Sequence, residues 1–301
     1  MYALDQILGC SDCMKEVRDL IHRVADSPCH VLITGERGTG KELVAKVIHA
    51  MSGRRTASFV PVLCSTMSEA AWGNELFKEA QSGTLFFDEI GELPLSLQAK
   101  LVQTIEDKKV HQTGAAQSIT VDVRIIASTT LNLEKEVNAK RFRKDLYYRL
   151  NVVEIHLPPL RNRRKDIPML AETFLNRYSQ EYAKTVLGIS ESALRLLINY
   201  SWPGNVRELE SVLERAVTLS HATEILPGDL PAAVQEIGSG TPIRPHRLRR
   251  AKTLKQVEEE YICLILDKTG DNKSLAADIL GIDRKTLYRK LADMENKRVR
   301  A

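Results

Sequence analysis

The stretch Gly35-Glu36-Arg37-Gly38-Thr39-Gly40-Lys41-Glu42 decides the fold. It fits the pattern G-x-x-x-x-G-K, in which glycines let backbone N–H groups point at phosphate oxygens and the lysine reaches the terminal phosphates. The apolar run at residues 30–34 predicts a buried strand, and apolar residues at helical spacing predict a helix over residues 42–51. A strand, a glycine loop and a helix N-terminus in this order predict a phosphate-binding loop.

Further apolar runs extend the predicted sheet on either side of this loop. Strands are predicted over residues 59–62, 84–88, 121–128 and 152–157, and helical patterns lie between them. Continuous apolar strands that alternate with helices are typical of a parallel sheet covered on both faces. We therefore expect an α/β nucleotide-binding unit over residues 1–161.

The strand signals stop after residue 161. Helices are predicted over residues 166–182, 190–200 and 205–220, with Ser190 as an N-cap and Trp202-Pro203-Gly204 as a break between the last two. These helices predict a small all-helical unit over residues 162–237. The Gly-, Ser- and Pro-containing stretch 238–252 is typical of a linker, and it leaves residues 253–301 as a final unit.

The final unit combines an amphipathic helix with a helix-turn-helix. A helix over residues 253–266 carries an apolar stripe, part of which we expect a second subunit to cover: Leu254, Val257, Tyr261, Leu264 and Ile265. A short helix from Ser274, a turn at Gly281 and a second helix capped by Asp283 follow. The second helix presents polar and basic side chains that we expect to contact DNA in the major groove: Arg284, Lys285, Thr286, Tyr288, Arg289 and Lys290.

Charge and composition limit the classes of function. Residues 239–301 contain 15 Lys and Arg against 9 Asp and Glu, whereas the remainder contains 28 against 30. A basic C-terminal unit on a near-neutral body favours binding of a polyanion there. No apolar run approaches the roughly 18 residues of a membrane span, and no secretory signal begins the chain, so we expect a cytoplasmic protein.

The cysteines carry little functional signal. Five scattered cysteines argue against a disulfide framework. Cys10 and Cys13 form a lone C-x-x-C, which is either half of a zinc or redox site or a pair of reduced thiols. No second pair follows at ligand spacing, which favours reduced thiols.

Two carboxylates, Asp88 and Glu89, stand at the end of the apolar strand predicted over residues 84–88. In a parallel sheet, the carboxyl ends of the strands face the ligand crevice. Asp88 can hold Mg²⁺ there, and Glu89 can orient and deprotonate an attacking water. The sequence therefore predicts a site for ATP and Mg²⁺.

With these motifs in view, the chain resembles the AAA+ domain of the NtrC family, the sigma-54-dependent activators, followed by a Fis-type helix-turn-helix. The resemblance rests on segments in the same order: GERGTGKE at residues 35–42, LFFDEIGELP at 85–94, FRKDLYYRL at 142–150, LPPLR at 157–161 and WPGNVREL at 202–209. It implies that Arg207 is the sensor II arginine of a helical lid. It also implies that Arg143 and Arg149 are arginine fingers that reach the nucleotide of a neighbouring subunit, in a homo-oligomer between a dimer and a hexamer.

Three departures from the family pattern affect the segment that contacts sigma-54 and the residues that support ATP hydrolysis. Only residues 78–82 lie between Phe77 and Gly83, where the family carries a long insertion with the GAFTGA signature that touches sigma-54. Leu63 replaces an asparagine that holds the catalytic glutamate. Thr130 replaces the sensor I asparagine, and its shorter side chain is expected to position Glu89 and the terminal phosphate less well.

The sequence thus predicts a regulator that binds ATP, Mg²⁺ and a two-fold site on double-stranded DNA, and that works with RNA polymerase holoenzyme without contacting sigma-54. We expect its ATP turnover to be slow, or else unregulated, because loss of the asparagine at the position of Leu63 could leave Glu89 permanently free. The alternative is a competent ATPase that remodels sigma-54 polymerase. Glu89, Arg143 and Arg149 favour this alternative, and the missing insertion opposes it.

Overall fold

A computed structural model of the chain describes residues 4–69, 71–111, 118–220, 222–236, 262, 265–266, 269 and 272–298. The chain divides into two compact units, Met1–Pro242 and Ile243–Ala301. The larger unit holds an α/β layer and a helical layer. The finer boundaries expected from the sequence, at residues 161, 237 and 252, stay predictions.

A five-stranded parallel sheet forms the centre of the α/β part. Its strands are β1 (Val31–Gly35), β2 (Phe59–Leu63), β3 (Thr84–Asp88), β6 (Arg124–Thr129) and β7 (Val153–Leu157). They lie in the order β2-β3-β6-β1-β7. The α/β fold expected from the sequence is confirmed, because each neighbouring pair is parallel.

Helices cover both faces of this sheet. They are α1 (Asp12–Ala25), α2 (Lys41–Ala50), α3 (Asn74–Glu79), α4 (Leu95–Asp107), α5 (Leu133–Asn138) and α6 (Lys144–Leu150). One apolar cluster contains Phe87 and Leu97, and another contains Ile33 and Phe86. Adjacent residues Phe86 and Phe87 thus enter separate cores, because successive side chains of a strand point to opposite faces. This explains the uninterrupted apolar run in β3.

Some small strands were not expected from the sequence. β4 (Lys109–His111) pairs antiparallel with β5 (Ser118–Thr120), and β8 (Gly188–Ile189) pairs with β9 (Glu224–Ile225). Strands of two or three residues are too short to leave a periodic pattern. The strand expected over residues 121–128 begins instead at Arg124, since the Asp122 carbonyl accepts a hydrogen bond from Ser82 N outside the sheet.

The helical part of the larger unit consists of α7 (Ile167–Glu181), α8 (Glu191–Asn199), α9 (Asn205–Leu219) and α10 (Ala232–Gln235). Ser190 caps α8 as expected, because its Oγ accepts from Ala193 N at 3.3 Å. Trp202 is fully buried between α8 and α9, and its indole N–H donates to the Leu197 carbonyl at 2.8 Å. The break in the sequence at Trp202 is therefore also the centre of this core.

The smaller unit contains the helix-turn-helix. Helix α11 (Lys273–Leu280) and helix α12 (Arg284–Arg298) flank Gly281, which has φ of 65°. Leu287 is fully buried, and Ile282 and Leu291 pack against the same small core. The predicted helix over residues 253–266 falls largely outside the described residues, including Leu254, Val257, Tyr261 and Leu264, whereas Ile265 is buried in this core. No helix in the described ranges is long and apolar enough to cross a membrane.

Candidate functional site

The loop between β1 and α2 has the backbone shape that its glycines predict. Gly35, Gly38 and Gly40 have φ of 153°, 80° and 105°. A side chain at Gly38 would place its Cβ 2.1 Å from the Gly204 carbonyl oxygen. Gly38 O also accepts hydrogen bonds from Val206 N at 3.0 Å and Arg207 N at 3.3 Å, at the start of α9. The loop therefore touches the helical part directly through its own backbone.

Lys41 lies at the bottom of this loop and is only 7% exposed. Its Nζ donates to the Gly35 carbonyl at 3.1 Å and lies 3.1 Å from Oε1 of Glu89. The structure thus brings together the predicted phosphate-binding lysine and the predicted water-activating carboxylate. A buried ammonium held by carbonyls and one carboxylate is placed to bind a phosphate oxygen.

Asp88 and Glu89 are held by the end of strand β6. Ser128 donates from Oγ to Oδ1 of Asp88 at 2.5 Å and accepts from Glu89 N at 3.3 Å. Glu89 has φ of 55°, a left-handed conformation that is uncommon for this residue type and is often found at functional sites. Thr130 donates to Oε2 of Glu89 from its N at 2.8 Å and from its Oγ1 at 2.9 Å.

The Thr130 contacts correct one expectation from the sequence. The shorter side chain was expected to position Glu89 and the terminal phosphate less well, yet the backbone turn after β6 carries its hydroxyl to the Glu89 carboxylate. Its reach to the terminal phosphate stays a prediction. Leu63 lines the same cleft and has no hydrogen-bonding side chain; its effect on Glu89 stays a prediction. Ser128 was not singled out from the sequence, since its role depends on the pairing of β3 with β6.

The loop, the acidic pair and the start of α9 line a cleft of about 680 Å³. The predicted residues found in it are Glu36, Arg37, Gly38, Gly40, Lys41, Glu42, Asp88, Glu89 and Arg207. Gly35 lies behind Lys41, and Thr39 is buried, with its Oγ1 donating to the Glu36 carbonyl at 2.8 Å. Arg207 enters the cleft from α9, so the helical part closes one side of the site.

The cleft contains carboxylate oxygens that could supply some of the ligands of a cation such as Mg²⁺. Asp88 and Glu42 are both in the lining, and Glu42 pairs with Lys46 at 2.7 Å. Within the described ranges, no group of three or more His, Cys, Asp and Glu could hold a metal ion. Mg²⁺ commonly binds through one or two carboxylates together with waters and phosphate oxygens. Asp88 therefore fits a metal that arrives with a phosphate ligand.

Glu36 lines the cleft and also makes contacts outside it. Its carboxylate accepts from Nη1 of Arg161 at 2.7 Å and from Nδ2 of Asn205 at 3.2 Å. The hydrogen bond from the Arg161 guanidinium is the main cause that lowers the pKa of Glu36 to about 2. Glu36 thus links the loop to Arg161, which follows β7, and to Asn205, at the start of α9.

Asn205 supports the loop from the helical part and was missed by the sequence reasoning. It is fully buried, donates from Nδ2 to the Arg37 carbonyl at 2.9 Å, and accepts from Leu160 N at 2.8 Å. It lies inside the WPGNVREL segment, but nothing local to that segment predicts a contact with the loop.

An apolar pocket of about 520 Å³ adjoins the cleft at Gly40. Its lining includes Ile7, Leu43, Phe174 and Val206, from four separate segments. Arg163 is buried beside it and donates to the Thr39 carbonyl at 3.1 Å, and burial lowers the pKa of its guanidinium. A flat apolar ring such as a nucleobase fits this lining. No sequence signal pointed to it, because its residues come together only in the fold.

Arg143 and Arg149 lie away from the cleft of their own chain. Arg143 donates to Asp145 at 3.0 and 2.7 Å, and Arg149 pairs with Glu106. Neither lines the cleft that contains Glu89. The structure therefore does not bring the two predicted finger arginines to the acidic pair within one chain.

The predicted DNA-contacting residues form one polar surface of α12. Arg284, Lys285, Tyr288 and Arg289 are exposed, and Thr286 and Lys290 are half-buried. Lys273 of α11 places its Nζ 5.1 Å from the centre of the Tyr288 ring. This contact was not predicted, although a cation over an aromatic face is a recurrent interaction. The two helices therefore present a joint basic and aromatic surface.

The chain matches three known protein families, in the same order as its three structural parts. The chain matches the sigma-54 interaction domain over residues 7–79 and 71–156, the AAA+ ATPase lid domain over residues 161–244, and the bacterial regulatory protein, Fis family, over residues 253–294. These three matches cover the α/β part, the helical part and the helix-turn-helix in turn.

Individual relatives match over nearly the whole chain. The transcriptional regulatory protein ZraR of Klebsiella oxytoca is 44% identical over 306 residues, which are 95% of this chain and 68% of that protein. The regulatory protein AtoC of Escherichia coli (strain K12) is 38% identical, over 95% of this chain and 67% of AtoC. A crystal structure of NtrX from Brucella abortus in complex with ATP is 33% identical with a TM-score of 0.71, over 96% of this chain and 69% of that one.

Proposed function

Because the chain belongs to the NtrC family of transcriptional regulators, we propose that it is an ATP-binding regulator that binds specific DNA sites. The observation that carries this proposal is the cleft in which Lys41, the Asp88–Glu89 pair and Arg207 meet. The fold is a nucleotide-binding one, and NtrX, a relative of the same fold, has been crystallised with ATP. The helix-turn-helix supplies the DNA-binding element.

We assign a role to each group in the cleft. The backbone N–H groups of the loop and Lys41 bind the phosphates, and the adjoining apolar pocket binds the base. Mg²⁺ would be held by Asp88 and would neutralise phosphate charge. Glu89 takes a proton from the attacking water, and Arg207 binds phosphate from the lid side.

Completion of this site needs a second subunit. Arg143 and Arg149 lie outside the cleft of their own chain and are paired with Asp145 and Glu106. Arginines near a transferring phosphoryl group stabilise its charge. We infer that these two act on the site of a neighbouring chain in a homo-oligomer, and that turnover is slow without that assembly.

We also propose that the chain regulates transcription without contacting sigma-54. Helix α3 ends at Glu79 and strand β3 begins at Thr84, so four residues join them. Gly83 N donates to the Ala80 carbonyl at 2.9 Å, which closes this connection as a tight turn. This short connection, at the place where the family carries its sigma-54-contacting signature, supports the proposal.

In vitro transcription with the two classes of holoenzyme tests this proposal. We expect DNA-dependent regulation with the housekeeping holoenzyme and no effect on open-complex formation by sigma-54 holoenzyme. Activation that requires both sigma-54 and hydrolysable ATP would establish the alternative, a remodelling ATPase. A footprint in the same reaction should show two half-sites about one helical turn apart. Protection no better than on random DNA would refute specific binding.

A further inference from the structure

We propose that Gln98 of helix α4 is the positioning residue for Arg143, the arginine that we assign to the site of a neighbouring chain. This inference rests on the proposed function, because it concerns hydrolysis at the same shared site. Gln98 acts in the chain that supplies the arginine, whereas the ATP lies in the cleft of the adjacent chain. A defect at Gln98 therefore impairs hydrolysis in the neighbouring subunit.

Gln98 is fully buried, and its side-chain amide bonds three backbone groups outside α4. Nε2 donates to the Leu93 carbonyl at 2.7 Å and to the Arg141 carbonyl at 3.3 Å. Oε1 accepts from Arg143 N at 2.8 Å. Because carbonyls only accept and backbone N–H groups only donate, these partners fix the orientation of the amide. A buried amide that is satisfied in this way holds its neighbours rigidly.

These hydrogen bonds hold the backbone from which the Arg143 side chain projects. Residues 139–143 connect α5 to α6, and Arg143 is the last residue before α6 begins. Its carbonyl accepts from Tyr147 N at 3.1 Å, in the first turn of the helix. Its N–H has no acceptor within the helix, and Gln98 supplies one. Gln98 therefore fixes the point at which the arginine leaves the fold.

The guanidinium of Arg143 has weaker support of its own. It pairs with Asp145, and the two side chains are 43% and 42% exposed. A pair this exposed contributes little to holding a side chain in place. Because Asp145 lies only two positions further along the chain, the pair moves with the backbone and cannot anchor it. The position of the guanidinium thus depends on the buried contact with Gln98.

Helix α4 is a firm support for this contact. Leu97 of α4 and Leu146 of α6 are fully buried in the same apolar cluster. Glu106, near the other end of α4, pairs with Arg149, near the end of α6. Helix α4 therefore lies along the element that carries the two arginines, and Gln98 contacts that element where it begins.

The first test measures hydrolysis and ATP binding in the Gln98→Met variant. Methionine keeps the side-chain length and removes all three hydrogen bonds. We expect kcat of the assembled full chain to fall by about 10- to 100-fold, since a misplacement of about 1 Å costs on the order of a hundredfold. The Kd for ATP should stay within about 2-fold, because Gln98 does not belong to the described lining of the cleft.

Gln235→Met is the matched control for this variant. Gln235 is half-buried, and its Nε2 donates to the Leu230 carbonyl at 2.5 Å in the helical part. The substitution removes a hydrogen bond of the same kind that does not involve the arginine-bearing segment. Its kcat should stay within about 2-fold of the parent value.

Mixed oligomers show in which subunit Gln98 acts. Lys41→Ala chains keep Gln98 and both arginines but lack phosphate binding, whereas Arg143→Ala chains keep the cleft. In an equal mixture of Gln98→Met and Lys41→Ala chains, about a quarter of the interfaces join an intact cleft to an intact arginine, so turnover should rise toward about a quarter of the parent value. A mixture of Gln98→Met and Arg143→Ala chains contains no such interface and should stay as inactive as its components.

The other patterns overturn the role of Gln98. Recovery with Arg143→Ala chains, with or without recovery in the other mixture, would show that Gln98→Met chains still present a working arginine. Recovery in neither mixture, or an ATP affinity weakened beyond about 2-fold, would show a structural role only. An unchanged kcat in Gln98→Met would show that Arg143 needs no such support.

Failure of the proposed function gives a different result. A parent chain that binds no ATP, or an Arg143→Ala chain as active as the parent, refutes the proposed function itself. A parent chain that binds ATP without hydrolysing it overturns the role of Gln98 and leaves ATP binding in place.

Discussion

Glu36 shows how a single side chain holds the phosphate-binding loop in its observed shape. Its carboxylate is bound by Arg161 and Asn205, which lie 125 and 169 positions further along the chain. The loop is therefore held in position by groups from the end of the sheet and the start of α9. A preorganised loop needs to lose less freedom when phosphate binds.

The lowered pKa of Glu36 predicts a pH-dependent contribution to stability. Its pKa falls from 4.5 to about 2, mainly through Arg161, so the ionised form favours the folded state. This contribution is fully present above about pH 4.5 and is lost as the pH falls toward 2. Because the side chain is 43% exposed, solvent screening limits it to about 1 kcal/mol.

Urea denaturation of the parent chain and the Glu36→Gln variant checks this prediction. The difference in free energy of unfolding should be largest near pH 7 and should shrink progressively below about pH 4.5. Lys15→Ala, which removes an exposed pair with Asp12, is the control and should change little. A Glu36→Gln difference that is constant with pH would contradict the assigned pairing.

The residues of the site divide into those that sequence could and could not predict. Lys41, Asp88 and Glu89 follow from short motifs, because each motif fixes both the residue types and the local backbone. Asn205 and the apolar pocket around Phe174 could not be predicted, because their contacts span more than a hundred positions or join separate segments. The two hydrogen bonds from Thr130 depend on the turn after β6, which side-chain length alone does not reveal.

At the scale of elements, α9 joins the helical part to the phosphate-binding loop. Its first residue, Asn205, is buried and bonds Leu160 N and the Arg37 carbonyl. Val206 N and Arg207 N donate to the Gly38 carbonyl. The start of α9 therefore responds directly to the conformation of the loop, and Arg207 follows it into the cleft.

Asn205→Ala should be strongly destabilising. It leaves the buried Leu160 N–H and the partly buried Arg37 carbonyl without their partner, at about 1–3 kcal/mol for a fully buried group before relaxation, so we expect a loss of roughly 2–3 kcal/mol. Asn199→Ala is the matched control, because Asn199 is exposed and donates only to the Arg195 carbonyl of its own helix. It should cost less than about 0.5 kcal/mol. Equal losses in urea denaturation would show that Asn205 does not support the loop.

Helix α12 is the element that we expect to read DNA. Arg284→Ala and Arg289→Ala should each weaken binding to the specific site by roughly 1–3 kcal/mol and relax one base position. Arg23→Ala, an exposed arginine of α1, should have no such effect. Gel-shift titrations measure the affinity of each variant for the specific duplex and for a random duplex. If the variants weaken both duplexes equally, the two arginines contact phosphate only.

At the scale of the whole molecule, the separation of Arg149 from the cleft predicts shared sites. Lys41→Ala chains lack phosphate binding but keep Arg149, whereas Arg149→Ala chains keep the cleft but lack the arginine. Each variant alone should show little turnover. A mixture of the two should recover part of it, because at some interfaces the intact cleft of an Arg149→Ala chain then meets the intact Arg149 of a Lys41→Ala chain. A mixture as inactive as its components would argue against a site completed between subunits.

The central claim, that ATP binds in the cleft formed by the loop, Asp88–Glu89 and α9, is tested most directly by equilibrium ATP titration with Mg²⁺. We expect saturable binding by the parent chain, unchanged affinity in the Lys15→Ala control, and at least about a hundredfold loss in Lys41→Ala, because a buried charge-assisted contact to phosphate is removed. Lys41→Ala should remain folded by circular dichroism. Absence of measurable ATP binding by the parent chain, or equal affinity in Lys41→Ala, would contradict the account.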